Sequence, residues 1–245
     1  LNLPRESNPA LGWRAIRFSL ERKDLFRIQL RAMLRASAFG KIRLLFPMVT
    51  SVEQIYEVKE VLESVKKELT EEKVKFAKKI PFGAMIEVPA SVMIASKLSK
   101  IVDFFSIGTN DLIQYCLAVD RTNPLVADLY DPYHPSILKM ISQTVQAAHR
   151  NGIPVSVCGD MANKPELAAL LIGLGVDSLS MIPRSIPKIK YLTRLMSEED
   201  LANLSKQCLS QDSGTKIKEL VHQYFNKNKL SEFIHKPTVI ETSDE

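Results

Sequence analysis

The stretch Val102-Asp103-Phe104-Phe105-Ser106-Ile107-Gly108-Thr109-Asn110-Asp111-Leu112 decides the fold of this chain. It is a nearly continuous apolar run that ends abruptly at polar residues suited to anion or metal chemistry. Continuous rather than alternating apolar residues are typical of strands that are buried on both faces of a parallel sheet. We therefore expect a buried strand here, with Asn110 and Asp111 at its carboxyl end.

Four further apolar segments end at residues of a similar kind. They end at Arg14 after Gly12-Trp13, at Pro47 after Leu44-Leu45-Phe46, at Glu87 after Ala84-Met85-Ile86, and at Cys158 after Val155-Ser156-Val157. In folds built from parallel strands and helices, ligands bind at the carboxyl ends of the strands. An arginine, a glutamate, an Asn-Asp pair and a cysteine at those ends predict one shared site. Such a site is typical of an enzyme.

The composition fits one large globular domain, because 45% of the 245 residues are hydrophobic. The 33 basic residues exceed the 28 acidic ones by a net +5 that is spread along the chain. Without a basic stripe interleaved with aromatic residues, we predict no nucleic-acid partner. Three scattered cysteines, Cys116, Cys158 and Cys208, indicate a reducing intracellular setting. No apolar run is long enough to span a membrane, so we expect no membrane insertion and a cytoplasmic location.

Strand and helix signals alternate along the chain. We predict six strands, near residues 12–16, 44–49, 83–88, 104–108, 155–159 and 178–181. Helices are predicted over 19–38, from a capping box at Ser51 and Gln54, from Pro89, from Pro135, from a capping box at Asn163 and Glu166, and over 197–209 and 214–226.

This alternation is typical of a (β/α) barrel or a doubly wound sheet. A closed barrel needs eight strands, whereas no Gly-x-Gly-x-x-Gly follows the first strand to support a dinucleotide-binding sheet. We therefore predict an α/β protein of the (β/α)8 TIM barrel type that lacks its first two strands and carries C-terminal helices. The partial barrel domain covers residues 1–226, and a polar tail covers 227–245.

Glu87 and Asp111 are candidate Mg²⁺ ligands. Mg²⁺ binds through one or two carboxylates and takes its remaining oxygens from water and a phosphorylated substrate. The alternative is that Glu87 pairs with an arginine and Asp111 caps a helix. Arg14 and Arg121 are candidate clamps for a carboxylate or phosphate, although most arginines lie at the surface without such a role.

Cys158 is open to three readings: a nucleophile, an acid, or a small buried apolar side chain. No histidine follows it with the spacing of a Cys-His pair, which argues against a protease-like nucleophile. We assign no catalytic role to the chain's histidines, which are His134, His149, His222 and His235.

Several motifs in one order give the chain a specific resemblance. They are Leu-Gly-Trp-Arg-Ala-Ile-Arg at 11–17, Leu-Arg-Ala-Ser-Ala-Phe-Gly at 34–40, Phe-Pro-Met at 46–48, Glu-Val-Pro-Ala at 87–90, Phe-Phe-Ser-Ile-Gly-Thr-Asn-Asp-Leu at 104–112, Gln-Tyr at 114–115, Ala-Val-Asp-Arg at 118–121 and Cys-Gly at 158–159. Over residues 1–225 the chain closely resembles the C-terminal, phosphoenolpyruvate-binding domain of Enzyme I. That family is the phosphoenolpyruvate–protein phosphotransferase of the bacterial sugar phosphotransferase system.

The resemblance implies a role for each matching residue. Arg14 and Arg121 would hold the phosphate and carboxylate of phosphoenolpyruvate, and Asn110 would contact the phosphate. Glu87 and Asp111 would bind Mg²⁺, and Cys158 would protonate enolpyruvate. The enzyme would pass phosphate to a histidine of its own N-terminal domain and then to the histidine carrier protein, releasing pyruvate for sugar uptake. The fold would be the phosphoenolpyruvate/pyruvate barrel, which is usually a homodimer.

The sequence also departs from the family pattern. The family's first two barrel strands, with a further phosphate-binding arginine, and its histidine-bearing N-terminal half find no match in these residues. Asp160 stands where the family usually has glutamate, and Arg184 is unusual near a strand end. We therefore expect this chain alone not to complete phosphotransfer. Two alternatives stay open: a non-catalytic phosphoenolpyruvate-sensing and dimerisation module, and a barrel like that of pyruvate phosphate dikinase.

Overall fold

A sheet of five parallel strands lies at the centre of the protein in the computed structural model, which describes residues 6–234. The strands are β1 (Leu44–Phe46), β2 (Phe82–Ile86), β3 (Phe104–Gly108), β4 (Val155–Cys158) and β5 (Ser178–Ser180). They follow one another across the sheet in chain order. The structure thus confirms the five predicted strands from 44–49 onward, and with them a parallel α/β fold.

Helices precede the first strand, connect the strands and continue beyond the last one. They are α1 (Ala15–Glu21), α2 (Lys23–Ala36), α3 (Val52–Glu71), α4 (Pro89–Met93), α5 (Ala95–Leu98), α6 (Thr109–Leu117), α7 (Pro135–His149), α8 (Pro165–Gly173), α9 (Ile186–Thr193), α10 (Glu198–Leu209) and α11 (Gly214–Lys227). Short 3-10 turns complete the connections, among them Pro9–Leu11 and Asp160–Asn163.

The central strands are buried as the apolar runs predict. All of β3 is buried, and only Met85 of β2 is partly exposed. The strand register pairs Ile86 with Ile107, and Gly108 with Cys158. Because the strands are parallel and in register, the residues that follow β2 and β3 reach the same edge of the sheet as Cys158. This edge carries the predicted site.

The helix predicted from Ser51 forms as the capping box requires. Ser51 Oγ accepts a hydrogen bond from the Gln54 N–H, and Gln54 Oε1 accepts one from the Ser51 N–H at 3.3 Å. These two bonds satisfy N–H groups that a helix start leaves without partners. The apolar face of α3 packs against α2, and the ion pairs Arg27–Glu68 and Arg31–Glu72 cross the same contact.

The predicted strand at 12–16 is wrong. Residues Pro9–Leu11 form a 3-10 turn, and α1 already begins at Ala15 with Arg14 as its N-cap. The Trp13 N–H donates to the Glu6 carboxylate at 2.9 Å instead of to a neighbouring strand. The segment thus satisfies its hydrogen bonds locally. A three-residue apolar run is too short to separate such a turn from a strand.

Two helix predictions also need correction. The helix predicted over 19–38 is two helices, α1 and α2, which meet at Arg22. The predicted capping box at Asn163 is wrong, because α8 begins at Pro165 and Lys164 is its N-cap. Asn163 Oδ1 instead accepts a hydrogen bond from the Ile182 N–H at 3.0 Å. The Asn163 side chain therefore fixes the chain after β5 and does not cap a helix.

The C-terminal helices α10 and α11 form close to the predicted 197–209 and 214–226, and α9 is an additional helix. Beyond α11, Leu230 and Phe233 are buried against the core, although both fall in the predicted polar tail. The rest of that tail, residues 235–245, lies outside the described residues. The division between domain and tail therefore stays a prediction.

The sheet is not closed over residues 6–234. Among these residues β1 pairs only with β2, and β5 pairs only with β4. The structure gives the parallel α/β architecture, and closure into a barrel stays a prediction. No helix of residues 6–234 is both long enough and apolar enough to span a membrane.

Candidate active site

Helix α6 starts directly after β3 and carries the Asn-Asp pair in its first turn. Gly108 is its N-cap, and Asn110 and Asp111 follow Thr109 at the carboxyl edge of the sheet. The N-terminus of a helix carries partial positive charge and unpaired N–H groups. A chain that turns from a buried parallel strand straight into a helix therefore brings polar side chains to a position that favours an anion.

Glu87 is a buried carboxyl group beside this turn. It is only 4% exposed, and its Oε1 accepts a hydrogen bond from the Met48 N–H at 2.6 Å. Burial raises the pKa of Glu87, and the nearby Asp111 carboxylate raises it further. The hydrogen bond from the Met48 N–H and the positive charge of Arg14 both lower this pKa. A Cβ on Gly108 would lie 2.6 Å from Glu87 Oε2, so the glycine leaves the space that the carboxylate fills.

Arg14 reaches Asp111 across the sheet edge. Its Nη2 lies 3.4 Å from Asp111 Oδ2, and its Nη1 donates to the Tyr115 hydroxyl at 3.4 Å. The Tyr115 hydroxyl in turn donates to the Ala10 carbonyl at 2.5 Å. The Arg14 side chain is still 42% exposed. The guanidinium is thus held in place while part of it remains open to a ligand.

The turn that presents Arg14 is fixed by charged side chains on both sides. The Glu6 carboxylate accepts from the Trp13 N–H, and Arg17 Nη1 donates to the Leu11 carbonyl at 2.7 Å. A Cβ on Gly12 would overlap the Glu6 carboxylate in its present position, so a larger residue here would require the flexible Glu6 side chain to move.

Arg121 follows a left-handed turn at the end of α6. Ala118 ends the helix at φ +53°, and the Arg121 N–H donates to Gln114 Oε1 at 3.2 Å. Arg14, Arg121 and Asp111 line one open cleft with a volume of about 1010 Å³. The structure therefore brings together both predicted arginine clamps and one of the two predicted metal ligands.

Asn110 and Cys158 lie on the opposite side of α6's first turn. Asn110 Nδ2 donates to Asp160 Oδ2 at 3.2 Å, while the Asp160 N–H donates to Asn110 Oδ1 at 2.8 Å. Cys158 Sγ accepts from the Ser106 hydroxyl at 3.5 Å and donates to the Ile107 carbonyl at 3.6 Å. These residues share the carboxyl edge of the sheet with Glu87, but they do not line the cleft formed by the arginines.

Gly159 joins these two parts of the edge through a close approach of backbone and side chain. Its φ is +115°, and a Cβ there would lie 2.5 Å from Thr109 Oγ1 and 2.8 Å from Asn110 Oδ1. Thr109 Oγ1 also donates to the Cys158 carbonyl at 3.1 Å. A glycine at this position lets the end of β4 pack directly onto the start of α6.

Glu87 and Asp111 are of the residue type that binds Mg²⁺ when substrate and water supply the remaining ligands. No group of three or more His, Cys, Asp or Glu side chains with metal-ligand geometry occurs among residues 6–234. Mg²⁺ needs only one or two protein carboxylates when substrate and water supply the rest. The Asp111 carboxylate adds to the rise in the pKa of Glu87, whose largest cause is burial, so the two acids are near enough to repel each other. A divalent cation would relieve this repulsion.

Sequence reasoning missed three residues of the site, which are Met48, Gln114 and Tyr115. Gln114 and Tyr115 lie three and four positions after Asp111. In a helix these positions share a face with Asp111, so the spacing alone could have identified them. Met48 had no such signal, because its role comes from a backbone N–H presented at φ +59°. No histidine of residues 6–234 lines the cleft.

Comparison with known proteins identifies the family to which the chain is related. Residues 1–197 match the family model described as "PEP-utilising enzyme, PEP-binding domain", where PEP is phosphoenolpyruvate. The chain is 46% identical over 231 residues to a phosphoenolpyruvate-protein phosphotransferase of Haemophilus influenzae, covering 94% of this chain and 40% of that protein. A protein of the same name from Priestia megaterium is 45% identical over 226 residues, covering 92% and 39%.

A solved structure gives a consistent picture of the fold. A citrate lyase from Burkholderia xenovorans superposes with a TM-score of 0.53 at 16% identity, covering 83% of this chain and 69% of that chain. At that identity the likeness concerns the fold alone. The chain spans about 40% of the length of the curated relatives it matches. From the family model and these identities, the chain belongs to the PEP-utilising enzymes, as a member of their PEP-binding domain family.

Proposed function

We propose that this chain is the phosphoenolpyruvate-binding catalytic domain of a phosphoenolpyruvate–protein phosphotransferase. One observation carries the proposal: Arg14, Arg121 and Asp111 line a single open cleft at the carboxyl edge of a parallel sheet. Two guanidinium groups suit a ligand with a phosphate and a carboxylate, because each can bind an oxyanion with two hydrogen bonds. The relatives at 45–46% identity, which carry this enzyme name, support the same reading.

Within this proposal we assign each residue the role that the family resemblance implies. Arg14 and Arg121 bind and orient the substrate's phosphate and carboxylate, and Asn110 contacts the phosphate from the first turn of α6. Glu87 and Asp111 would hold Mg²⁺, which neutralises charge on the phosphate and on the enolate oxygen when bound. The Met48 N–H holds Glu87 Oε1 and so orients the carboxylate that would bind the cation.

Cys158 supplies the proton that completes the reaction. Transfer of the phosphoryl group to a histidine nitrogen breaks the phosphorus–oxygen bond and leaves the enolate of pyruvate. The Cys158 thiol then donates its proton to the methylene carbon and becomes a thiolate, which regains a proton from water. The Ile107 carbonyl and the Ser106 hydroxyl orient the thiol. A positioned acid of this kind contributes rate without holding the substrate.

The histidine that accepts the phosphate, and the proteins of the later transfer steps, are outside this chain in the proposal. We propose that the phosphate passes to a histidine of an N-terminal domain like that of the relatives, and then to the histidine carrier protein for sugar uptake. A homodimer, a closed barrel and a cytoplasmic location belong to the same proposal. The alternative that resembles pyruvate phosphate dikinase has less support, because the relatives named above are phosphotransferases.

The test is the formation of pyruvate. Full-length protein that includes the histidine-bearing domain should release pyruvate from phosphoenolpyruvate in the presence of Mg²⁺. Arg14→Ala and Arg121→Ala should each raise KM, while Arg150→Ala, at the C-cap of α7 and not in the lining of the cleft, should act as wild type. Calorimetry should show that a chelator greatly weakens phosphoenolpyruvate binding. Binding without pyruvate formation would favour the sensing and dimerisation module, and equal affinity with chelator would contradict the metal site.

A further inference from the structure

Two adjacent residues of α6 each hold one of the two arginines that line the cleft. Gln114 binds the backbone of Arg121, and Tyr115 binds the side chain of Arg14. Both residues line the same cleft as the arginines. Neither belongs to the set that the proposed reaction uses, so their contacts need a separate explanation.

Tyr115 connects Arg14 to the turn on which Arg14 is carried. Its hydroxyl has one proton, which it donates to the Ala10 carbonyl at 2.5 Å. A lone pair of the same oxygen is therefore directed to Arg14 Nη1 at 3.4 Å. Burial raises the pKa of Tyr115, the Asp111 carboxylate adds to the rise and Arg14 opposes it, so the phenol stays a neutral donor at neutral pH.

This connection limits the freedom of a long side chain. Arg14 is 42% exposed, and an exposed arginine loses rotamer entropy when a ligand orders it. Two contacts, to Asp111 and to Tyr115, already order the guanidinium before a ligand arrives. Asp111 is also a proposed metal ligand. Of the two residues that contact Arg14, Tyr115 therefore has no other role in the proposed function.

Gln114 organises the turn that presents Arg121. Its side-chain oxygen accepts from the Arg121 N–H at 3.2 Å, and its backbone carbonyl accepts from the N–H groups of Ala118 and Val119. Ala118 is in the left-handed conformation at φ +53°. Three donors of one turn therefore converge on one residue, which is only 8% exposed. Loss of the side-chain acceptor would leave the backbone bonds in place but release the turn at Arg121.

We propose that Gln114 and Tyr115 are positioning residues for phosphoenolpyruvate, and that each acts through a single arginine, Gln114 through Arg121 and Tyr115 through Arg14. The inference rests on the proposed function. Neither side chain touches the reacting atoms; each sets the position from which its arginine meets the substrate. Helix α6 therefore aligns both clamps with the Asn110 and Asp111 that it carries itself.

Double-mutant cycles in full-length protein test this pairing. Tyr115→Phe and Gln114→Met each remove a hydrogen-bonding atom and keep the bulk of the side chain. Each is placed in wild-type, Arg14→Ala and Arg121→Ala backgrounds. The readouts are the Kd of phosphoenolpyruvate with Mg²⁺ by calorimetry, and KM and kcat for pyruvate formation. Tyr224→Phe and Gln146→Met, on α11 and α7 away from the cleft, are the matched controls.

The proposal predicts a crossed pattern. Tyr115→Phe should raise Kd and KM about three- to tenfold with little change in kcat, the range for one lost hydrogen bond of ordinary strength, since the contact to Arg14 is long at 3.4 Å. The effect should disappear in Arg14→Ala and persist in Arg121→Ala. Gln114→Met should show the reverse dependence, and Gln114→Leu should repeat its result if Gln114→Met unfolds. The two controls should bind as wild type.

Other outcomes would overturn the inference in distinguishable ways. The same loss in all three backgrounds would mean that the residues support α6 in general. No loss, while Arg14→Ala and Arg121→Ala weaken binding, would remove the pairing and leave the proposed function standing. If the arginine variants themselves bind phosphoenolpyruvate as wild type, the proposed function fails and the inference fails with it.

Discussion

At the scale of single residues, Cys158 has the most specific environment of the three cysteines. Cys116 and Cys208 have pKa values raised by burial and lie on helices, whereas Cys158 ends a strand between the Ser106 hydroxyl and the Ile107 carbonyl. A sulfur that both accepts and donates a hydrogen bond is oriented. This orientation supports an acid and is more than a small apolar side chain would need.

Replacement of Cys158 by alanine should separate binding from chemistry. Phosphoenolpyruvate affinity should stay nearly unchanged, because no clamp contact is lost. Pyruvate formation should fall by about a hundred- to ten-thousandfold, the range for a lost general acid. Chirally labelled substrate turned over in deuterated water should give a racemic methyl group, since solvent protonates either face. Cys116→Ala is the control and should keep rate and stereochemistry.

A Cys158→Ala variant that retains both its rate and its facial selectivity would show that another group donates the proton. The Ser106 hydroxyl, 3.5 Å from the sulfur, would then be the next residue to replace.

The residue types of the site could be read from the sequence, but their partners could not. Glu87, Asp111 and Cys158 lie at the ends of strands, and an apolar run shows such an end directly. Arg14 was identified for the wrong reason, because it lies at a helix start and not after a strand. The Arg14 guanidinium donates a hydrogen bond to Tyr115, which lies 101 positions away in the chain. A local sequence pattern cannot predict a contact between residues so far apart.

At the scale of elements, α3 is a helix whose start is determined locally. Ser51→Ala should lower the free energy of unfolding by about 1 kcal/mol, because the Gln54 N–H loses its acceptor. Chemical denaturation followed by circular dichroism measures the change. Ser96→Ala, at an exposed position of α5, is the matched control and should shift stability by less than about 0.5 kcal/mol.

A Ser51→Ala variant as stable as wild type would mean that packing of α3 against α2 alone fixes its start. Elements with such local signals are predicted well from the sequence, as the start of α3 at its Ser51 cap illustrates. The capping box at Asn163 failed because tertiary contacts decided otherwise: Asn163 holds Ile182, and Pro165 takes the first helical position.

At the scale of the whole molecule, the sheet has two open edges over the described residues. β1 and β5 each leave one row of backbone groups without a strand partner. Exposed edges of this kind promote association with other strands. Residues 1–245 alone should therefore self-associate, or unfold at a lower temperature than a version extended upstream to the length of the relatives. Light scattering and thermal unfolding at several concentrations measure both.

A charge on the edge should reduce this association. Leu45→Lys, in the middle of β1, should lower the scattering mass, whereas Leu195→Lys, exposed beyond α9, should not. A monomer of residues 1–245 as stable as the longer protein would contradict the prediction. The expectation of a barrel came from the number and order of strands. That pattern fixed the parallel order but not the closure, since closure depends on pairing between strands far apart in the chain.

Because α6 carries several residues of the proposed site, its length should be constrained when related proteins diverge in sequence. This helix of nine residues carries Asn110, Asp111, Gln114 and Tyr115, and their spacing sets the direction of each side chain around the helix axis. Gain or loss of one residue inside it would turn everything downstream by about 100° and misalign these side chains together. Lineages that keep the activity should therefore accumulate substitutions here but almost no length changes. Insertions should instead fall in the loop between α6 and α7 beyond the cleft lining, at 123–134.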